Sequence, residues 1–428
     1  MASCLRRRGL ALLVALIKNL FLGLLLLQMA AMPSFAATFN VGRGINLDAW
    51  ITWPPEGKWS DEAVLRPFPE WRRTVHLADL EALKRDGFDF IRMPVDPLVF
   101  LSPRTESYRD DLYRDVWDAA RLVNKAGLKV IVDLHLMPSG SDRSAGMQSV
   151  MSDPEMFQAY LGVMRRMGLT LAEEDPHAVA FELMNEPIID CEAAAGRAEW
   201  NGKLKRLFAA ARASAPRLTL VLAGGCWSSA KGLAAVDPRA IPDDNILWTF
   251  HSYDPFVLTH QGATWAGDFI PYVRGIPYPP YDHPEVFRKA LAATRARMKA
   301  DAPLVRRAGL LAYLDGQVAT IDSPERLKAT MSEPFDTAAK WADRNRVPRG
   351  DIFLGEFGMI RQEYGSKTLM PAKWRAAYVH DMIRLAESHG FGWSLWSYSG
   401  AFGVVKTYDG KAAEPDVLDV VRALKPAR

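Results

Sequence analysis

The sequence predicts an α/β protein, a single (β/α)8 TIM barrel with a long insertion between strands six and seven. Three observations carry that expectation. A short apolar run, a loop and an amphipathic segment recur about eight times, and strands alternating with helices in this way close into a parallel barrel. The runs are apolar on both faces, as a sheet covered on both sides requires. The rival, an open doubly wound sheet, would carry a glycine-rich phosphate loop after an early strand, and neither G-x-G-x-x-G nor G-x-x-x-x-G-K-[ST] occurs in the chain.

In chain order the expected strands are Val41–Leu47, Phe88–Pro94, Leu128–Leu136, Ala178–Met184, Leu218–Ala223, Ile246–Phe250, Ile352–Gly355 and Phe391–Trp396. Helix-period segments lie between them: Leu77–Arg85, Asp111–Ala126, Glu155–Ala172, Ala193–Ala213 and Ala372–Ser388. Several stop on a glycine, at Gly87, Gly127 and Gly390, where a left-handed residue ends a helix at little cost. The insertion runs from Asp254 to about Gly350. Its first third is rich in proline and aromatics, including Phe256, Trp265, Phe269, Tyr272, Tyr278 and Tyr281. Such a loop is either a ligand wall at the barrel mouth or a self-packed rim cover. The stretch from Glu285 to Lys340 is charged and helical in period, so it reads as support. No internal repeat and no Ser/Thr/Pro tether sets off a further module.

Composition agrees with one large globular core. The chain has 428 residues, 49% hydrophobic and 24% charged, which excludes global disorder and a disulfide-knotted scaffold. Residues 1–36 read as a secretory signal: Arg6, Arg7 and Arg8, an apolar stretch from Gly9 to Met32, then Ser34-Phe35-Ala36 before a cut at Ala37. An uncleaved membrane anchor is the alternative. The expected organisation is therefore a leader over 1–36 and a catalytic barrel over 37–428, secreted or periplasmic, with no stable membrane association once the leader is cut. Losing Arg6, Arg7, Arg8 and Lys18 takes the formal net charge from +3 to −1, which offers no footprint for nucleic acid.

Active sites of such barrels sit at the C-terminal ends of the strands, so polar residues ending the apolar runs are the candidates. They are Arg92 on strand two, His135 on three, Asn185 and Glu186 on four, His251 and Tyr253 on six, Glu356 on seven and Trp396 on eight. Each alone reads more readily as a structural hydrogen-bonder than as a catalyst, and Glu182 reads as one that lines the barrel. Together they converge on one rim. Glu186 and Glu356, from strands across the mouth, form the pair that glycoside hydrolysis needs: one carboxyl protonated for the leaving oxygen, one ionised at the anomeric carbon. Trp50, Trp53, Trp59, Trp227 and Trp265 are either sugar-stacking platforms or packing residues.

The Asn185-Glu186-Pro187 triplet, Gly355-Glu356-Phe357-Gly358, and Arg92, His135, His251, Tyr253 and Trp396 at their strand ends resemble glycoside hydrolase family 5, the cellulase-type members of a retaining (β/α)8 clan. The resemblance covers the mature chain. It implies Glu186 as general acid/base, Asn185 on the sugar 2-hydroxyl and Glu356 as nucleophile. It also implies Arg92 and Tyr253 holding Glu356 ionised, His135 and His251 lining the −1 subsite and tuning Glu186, and Trp396 as its stacking floor. No metal or organic cofactor is implied. The sequence departs from many relatives at Met137-Pro138-Ser139-Gly140 and in its long insertion, which leaves the exact polysaccharide open.

Cys191 and Cys226 follow neighbouring strands on the same rim, so a disulfide near Glu186 and two separate thiols are both consistent with the sequence. The resulting expectation is an exported retaining endo-β-glycosidase acting on a β-linked polysaccharide, foremost a β-1,4-glucan. A β-mannanase, a β-1,3-glucanase or glucosidase and a bacterial-exopolysaccharide hydrolase are alternatives, and a non-catalytic carbohydrate-binding barrel is the rival from another class. An ester hydrolase would need a G-x-S-x-G elbow, which the chain lacks.

Overall fold

The computed structural model describes residues 37–48, 50–65, 75–136, 147–405 and 415–424. The leader and the Met137–Gly140 loop lie outside the described residues. Eight parallel strands close into a barrel in sequence order: β1 Arg43–Asn46, β2 Phe90–Val95, β3 Lys129–Leu134, β4 Val179–Glu182, β5 Thr219–Ala223, β6 Ile246–His251, β7 Ile352–Phe357 and β8 Gly392–Leu395. Closure is made by β1 against β8, with Ile45 opposite Leu395. Each expected strand is present within a few residues of its expected bounds.

The helices follow their local signals. α1, Leu77–Arg85, starts with the backbone N–H of His76 donating to the Asp79 carboxylate at 2.8 Å, and α2 spans Arg109–Lys125. α3, Pro154–Leu171, has proline at its first position and Asp153 accepting from the N–H groups of Glu155 and Met156, a cap that satisfies otherwise orphaned donors. α4 is Ala194–Ser214. Gly87, Gly127 and Gly390 adopt φ of 103°, 77° and 75° as expected of helix stops.

The insertion folds as a loop followed by α5 Pro284–Asp301, α6 Leu304–Val318 and α7 Pro324–Asn345. α7 packs on the barrel, its Trp341 and Phe335 rings 5.1 and 5.6 Å from Trp248 and Phe250 of β6. That is the support role expected of it. The aromatic loop divides between the two readings. Phe269 and Tyr278 are buried, Tyr278 donating to Asp381 at 2.7 Å, whereas Phe256 and Trp265 keep more than a third of their surface exposed. α8, Ala372–Ser388, matches its expected bounds. Among the described residues no helix is long and apolar enough to cross a membrane.

The barrel interior explains where the chemistry sits. Its lower layer is apolar: Phe39, Phe90, Ile131, Ala180, Val221, Leu247 and Phe353 pack as one cluster. Side chains alternate along a strand, so two residues further up come Arg92, Asp133, Glu182 and Thr249, all fully buried. Above them lie His135 and His251. A hydrophobic plug thus carries a polar layer, and that layer carries the open rim.

Candidate active site

Arg92 is the hub of the polar layer. Its guanidinium is fully buried and reaches Glu182 at 2.7 and 2.8 Å, Asp133 at 2.9 Å and Glu356 at 2.7 Å. It also donates to Asn46 Oδ1 at 3.0 Å and Asn185 Oδ1 at 2.8 Å. Only a planar fork with five donors can serve so many acceptors at once. Burial alone would lower its pKa, but the carboxylates of Asp133 and Glu182 hold it well above the usual arginine value. Three buried carboxylates share this single cation. Accordingly, burial pushes Asp133 up to about 7 and raises Glu182 as well.

Glu356 reaches the rim through an irregularity. It lies three residues beyond Phe353, which faces the interior, so strict alternation would turn it outward. The pairing of β7 shifts register against both neighbours, between Phe250 and His251 on one side and between Leu354 and Phe357 on the other. A bulge re-aims the following side chain. Gly355 accompanies it, since a Cβ there would meet Thr249 Oγ1 at 2.3 Å. The Glu356 carboxylate accepts from Arg92 Nη1 at 2.7 Å on one oxygen and from the Tyr253 hydroxyl at 2.9 Å on the other. Burial and the adjacent Glu356 charge raise the Tyr253 phenol well above its usual value, keeping it a donor.

Glu186 is held differently. Its φ is 41°, a left-handed conformation that a non-glycine side chain adopts only when its surroundings impose it. Its backbone N–H donates to Ser228 Oγ at 3.2 Å, and its Oε1 lies 2.8 Å from His251 Nδ1. Burial raises its pKa from 4.5 to about 7, although 30% of the side chain remains open to the cleft. Burial likewise lowers His251 and His135 to about 4 each, so both rings are neutral at pH 7. For His135 the network assigns the tautomer: the Asn185 amide faces Nε2 at 3.1 Å as donor, leaving Nδ1–H to donate to Asp133 at 2.9 Å. His135 therefore acts through Asp133 and Asn185, while His251 meets Glu186 directly.

The half-buried Trp396 indole stacks on the His135 ring at 5.5 Å. One oxygen each of Glu186 and Glu356 and a ring nitrogen of His251 lie within 4.8 Å of one another. Among the described residues this is also the grouping whose spacing could hold a metal ion.

All eight expected rim residues converge. The tryptophans separate: Trp227 is 56% and Trp265 38% exposed, but Trp50 is 2% exposed, buried in the main core with Trp53 and Trp59. Trp50 is thus a packing residue and not a platform, because at this burial neither face of its ring is open to a sugar. Cys191 and Cys226 are joined as a disulfide, their Cα atoms 5.5 Å apart. Sequence reasoning missed Asn46 and Asp133 as members of the network. Asn46 donates to Gly355 O at 3.1 Å and Ser394 Oγ at 3.0 Å while accepting from Arg92. Both lie on the interior phase of their strands, which was the available signal.

A (β/α)8 barrel with two carboxylates facing each other above an arginine-centred network defines an enzyme that cleaves glycosidic bonds, a glycoside hydrolase. The family model described as Cellulase (glycosyl hydrolase family 5) matches residues 62–402, and the chain belongs to that family. It is 22% identical over 387 residues to Endoglucanase C of Acetivibrio thermocellus, covering 89% of this chain and 98% of that protein. It is 28% identical to Cellodextrinase A of Ruminococcus flavefaciens over 234 residues, 54% of this chain and 63% of the relative. Cel5A of Thermotoga maritima, solved with cellobiose, superposes with a TM-score of 0.60 at 20% identity, covering 89% of this chain and 97% of that one. The cellulose synthase subunit Z of Clostridioides difficile gives 0.62 at 20%, covering 89% and 99%.

Proposed function

We propose that the protein is an exported retaining endo-β-glycosidase acting on a β-1,4-glucan. The observation that supports the mechanism is the close approach of the two carboxyls, one oxygen of Glu186 lying within 4.8 Å of one oxygen of Glu356. Retaining enzymes hold their carboxyls about 5–5.5 Å apart, whereas inverting ones leave roughly 6.5–9.5 Å for an interposed water. Glu356, supplied with two donors, attacks the anomeric carbon. Glu186 accepts from His251 on one oxygen and gives its proton to the leaving oxygen from the other. Glu186 then takes a proton from the water that hydrolyses the glycosyl-enzyme. Asn185 contacts the sugar 2-hydroxyl, and Trp396 floors the same subsite.

The names of the relatives, an endoglucanase and a cellodextrinase, support a β-1,4-glucan; a Cel5A complex with mannotriose keeps β-mannan as the second reading. The 1–36 leader supports export, and a disulfide suits an oxidising compartment. The experiment is NMR of the first product released from a soluble β-1,4-glucan. A β-anomer appearing first is expected; an α-anomer would refute the retaining mechanism, and release from mannan alone would move the substrate.

A further inference from the structure

Glu186 sits in a conformation its own backbone disfavours, and the segment after it is clasped to the loop that follows β5. Trp227 N–H donates to Pro187 O at 3.2 Å, Cys226 N–H to Ile189 O at 2.9 Å, and Glu186 N–H to Ser228 Oγ at 3.2 Å. The partner loop is equally unusual: Cys226, Trp227 and Ser228 all have φ between 51° and 55°. Neither loop would hold such a shape alone, so each acts as the template of the other. Close approach leaves no slack, since a Cβ on Gly225 would meet the Ile189 side chain at 2.6 Å. The one covalent tie in the clasp is Cys191–Cys226, five residues after Glu186 and two before Ser228.

The geometry points to the Cys191–Cys226 disulfide as a positioning element for Glu186, setting the alignment of the proton donor in addition to cross-linking the rim. This rests on the proposed role of Glu186. Cys226 is half-buried, so a dithiol reductant can reach the bond. The reductant's two sulfurs become its own disulfide, and Cys191 and Cys226 each leave as a thiol, with the electron pair and two protons coming from the reductant. Cutting the tie loosens the left-handed turn while leaving the plug, the Arg92 network and Glu356 in place.

The test compares wild type with Cys191→Ser/Cys226→Ser on two substrates. A soluble β-1,4-glucan needs Glu186 to protonate its leaving oxygen. β-Cellobiosyl fluoride loses fluoride without that proton, and kcat/KM reports the glycosylation step alone. The expected result is a fall of about ten-fold in kcat/KM on the glucan, with kcat/KM on the fluoride within about two-fold of wild type. Loss of equal size on both substrates, as from a merely weakened fold, overturns the inference, and so does no loss on either. If the double variant does not fold, native wild type is reduced with dithiothreitol, a gain of two thiols is counted, and the same pair of rates is measured before and after reoxidation. A wild type inactive on both substrates would instead refute the functional reading beneath it.

Discussion

Raising the pH through neutrality should switch the enzyme off by removing one proton from Glu186. Burial takes this carboxyl from 4.5 to about 7, and the direction is what general-acid work at neutral pH needs. At pH 6 a carboxyl titrating at about 7 is about 90% protonated, whereas one left at its ordinary value would be only about 3% protonated. The structure therefore predicts kcat/KM on a soluble β-glucan near its plateau at pH 6 and about ten-fold lower at pH 8. The assay is reducing-sugar release at low substrate concentration from pH 4 to 9, run beside β-cellobiosyl fluoride, whose first step needs no proton. The alkaline limb should vanish or move upward for the fluoride. A glucan limb near pH 4.5 would refute burial as the controlling influence. An identical limb on both substrates would refute Glu186 as the proton donor.

Tyr253→Phe removes the 2.9 Å hydrogen bond to Glu356, and a bond to a charged group is worth about 1.5–3 kcal/mol, so kcat/KM should fall roughly 10- to 150-fold with the melting temperature held; unchanged kinetics would remove Tyr253 from the mechanism. Arg92→Met leaves Asp133, Glu182 and Glu356 without their common cation, a loss of about 3–5 kcal/mol by the usual cost of breaking a buried ion pair, and should appear as a collapse of soluble yield or a large drop in denaturation midpoint. The tryptophans should divide: Trp50→Ala, in the core, is expected to cost about 3–5 kcal/mol of stability, whereas Trp227→Ala, at 56% exposure, should spare the melting temperature and raise KM for long glucan chains. Equal melting losses for the two would refute that division.

The fold was legible because it is repetitive. Eight apolar runs and their glycine-stopped helices carry a period that local sequence displays, and the strands fall within a few residues of expectation. The rim residues were legible for the same reason, as polar side chains ending apolar runs. What was hidden depends on contacts between distant loops. Nothing local says that Trp50 is buried in the main core, or that Cys226-Trp227-Ser228 takes three left-handed residues in succession. Glu356 is the instructive case. Strict alternation from Phe353 sends it outward, and only the register shifts of β7 bring it in.

The different roles of the two glutamates were legible only through the family resemblance, and the physical difference lies in what surrounds each. Glu356 receives the Arg92 guanidinium on one oxygen and the Tyr253 hydroxyl on the other. Glu186 receives a neutral imidazole and a half-open cleft. That asymmetry needs Arg92 to remain available to Glu356 although Asp133 and Glu182 also lean on it. Burial pushes Asp133 up to about 7, so it takes up a proton as the pH falls through neutrality, and a protonated Asp133 leaves the guanidinium more fully to Glu356.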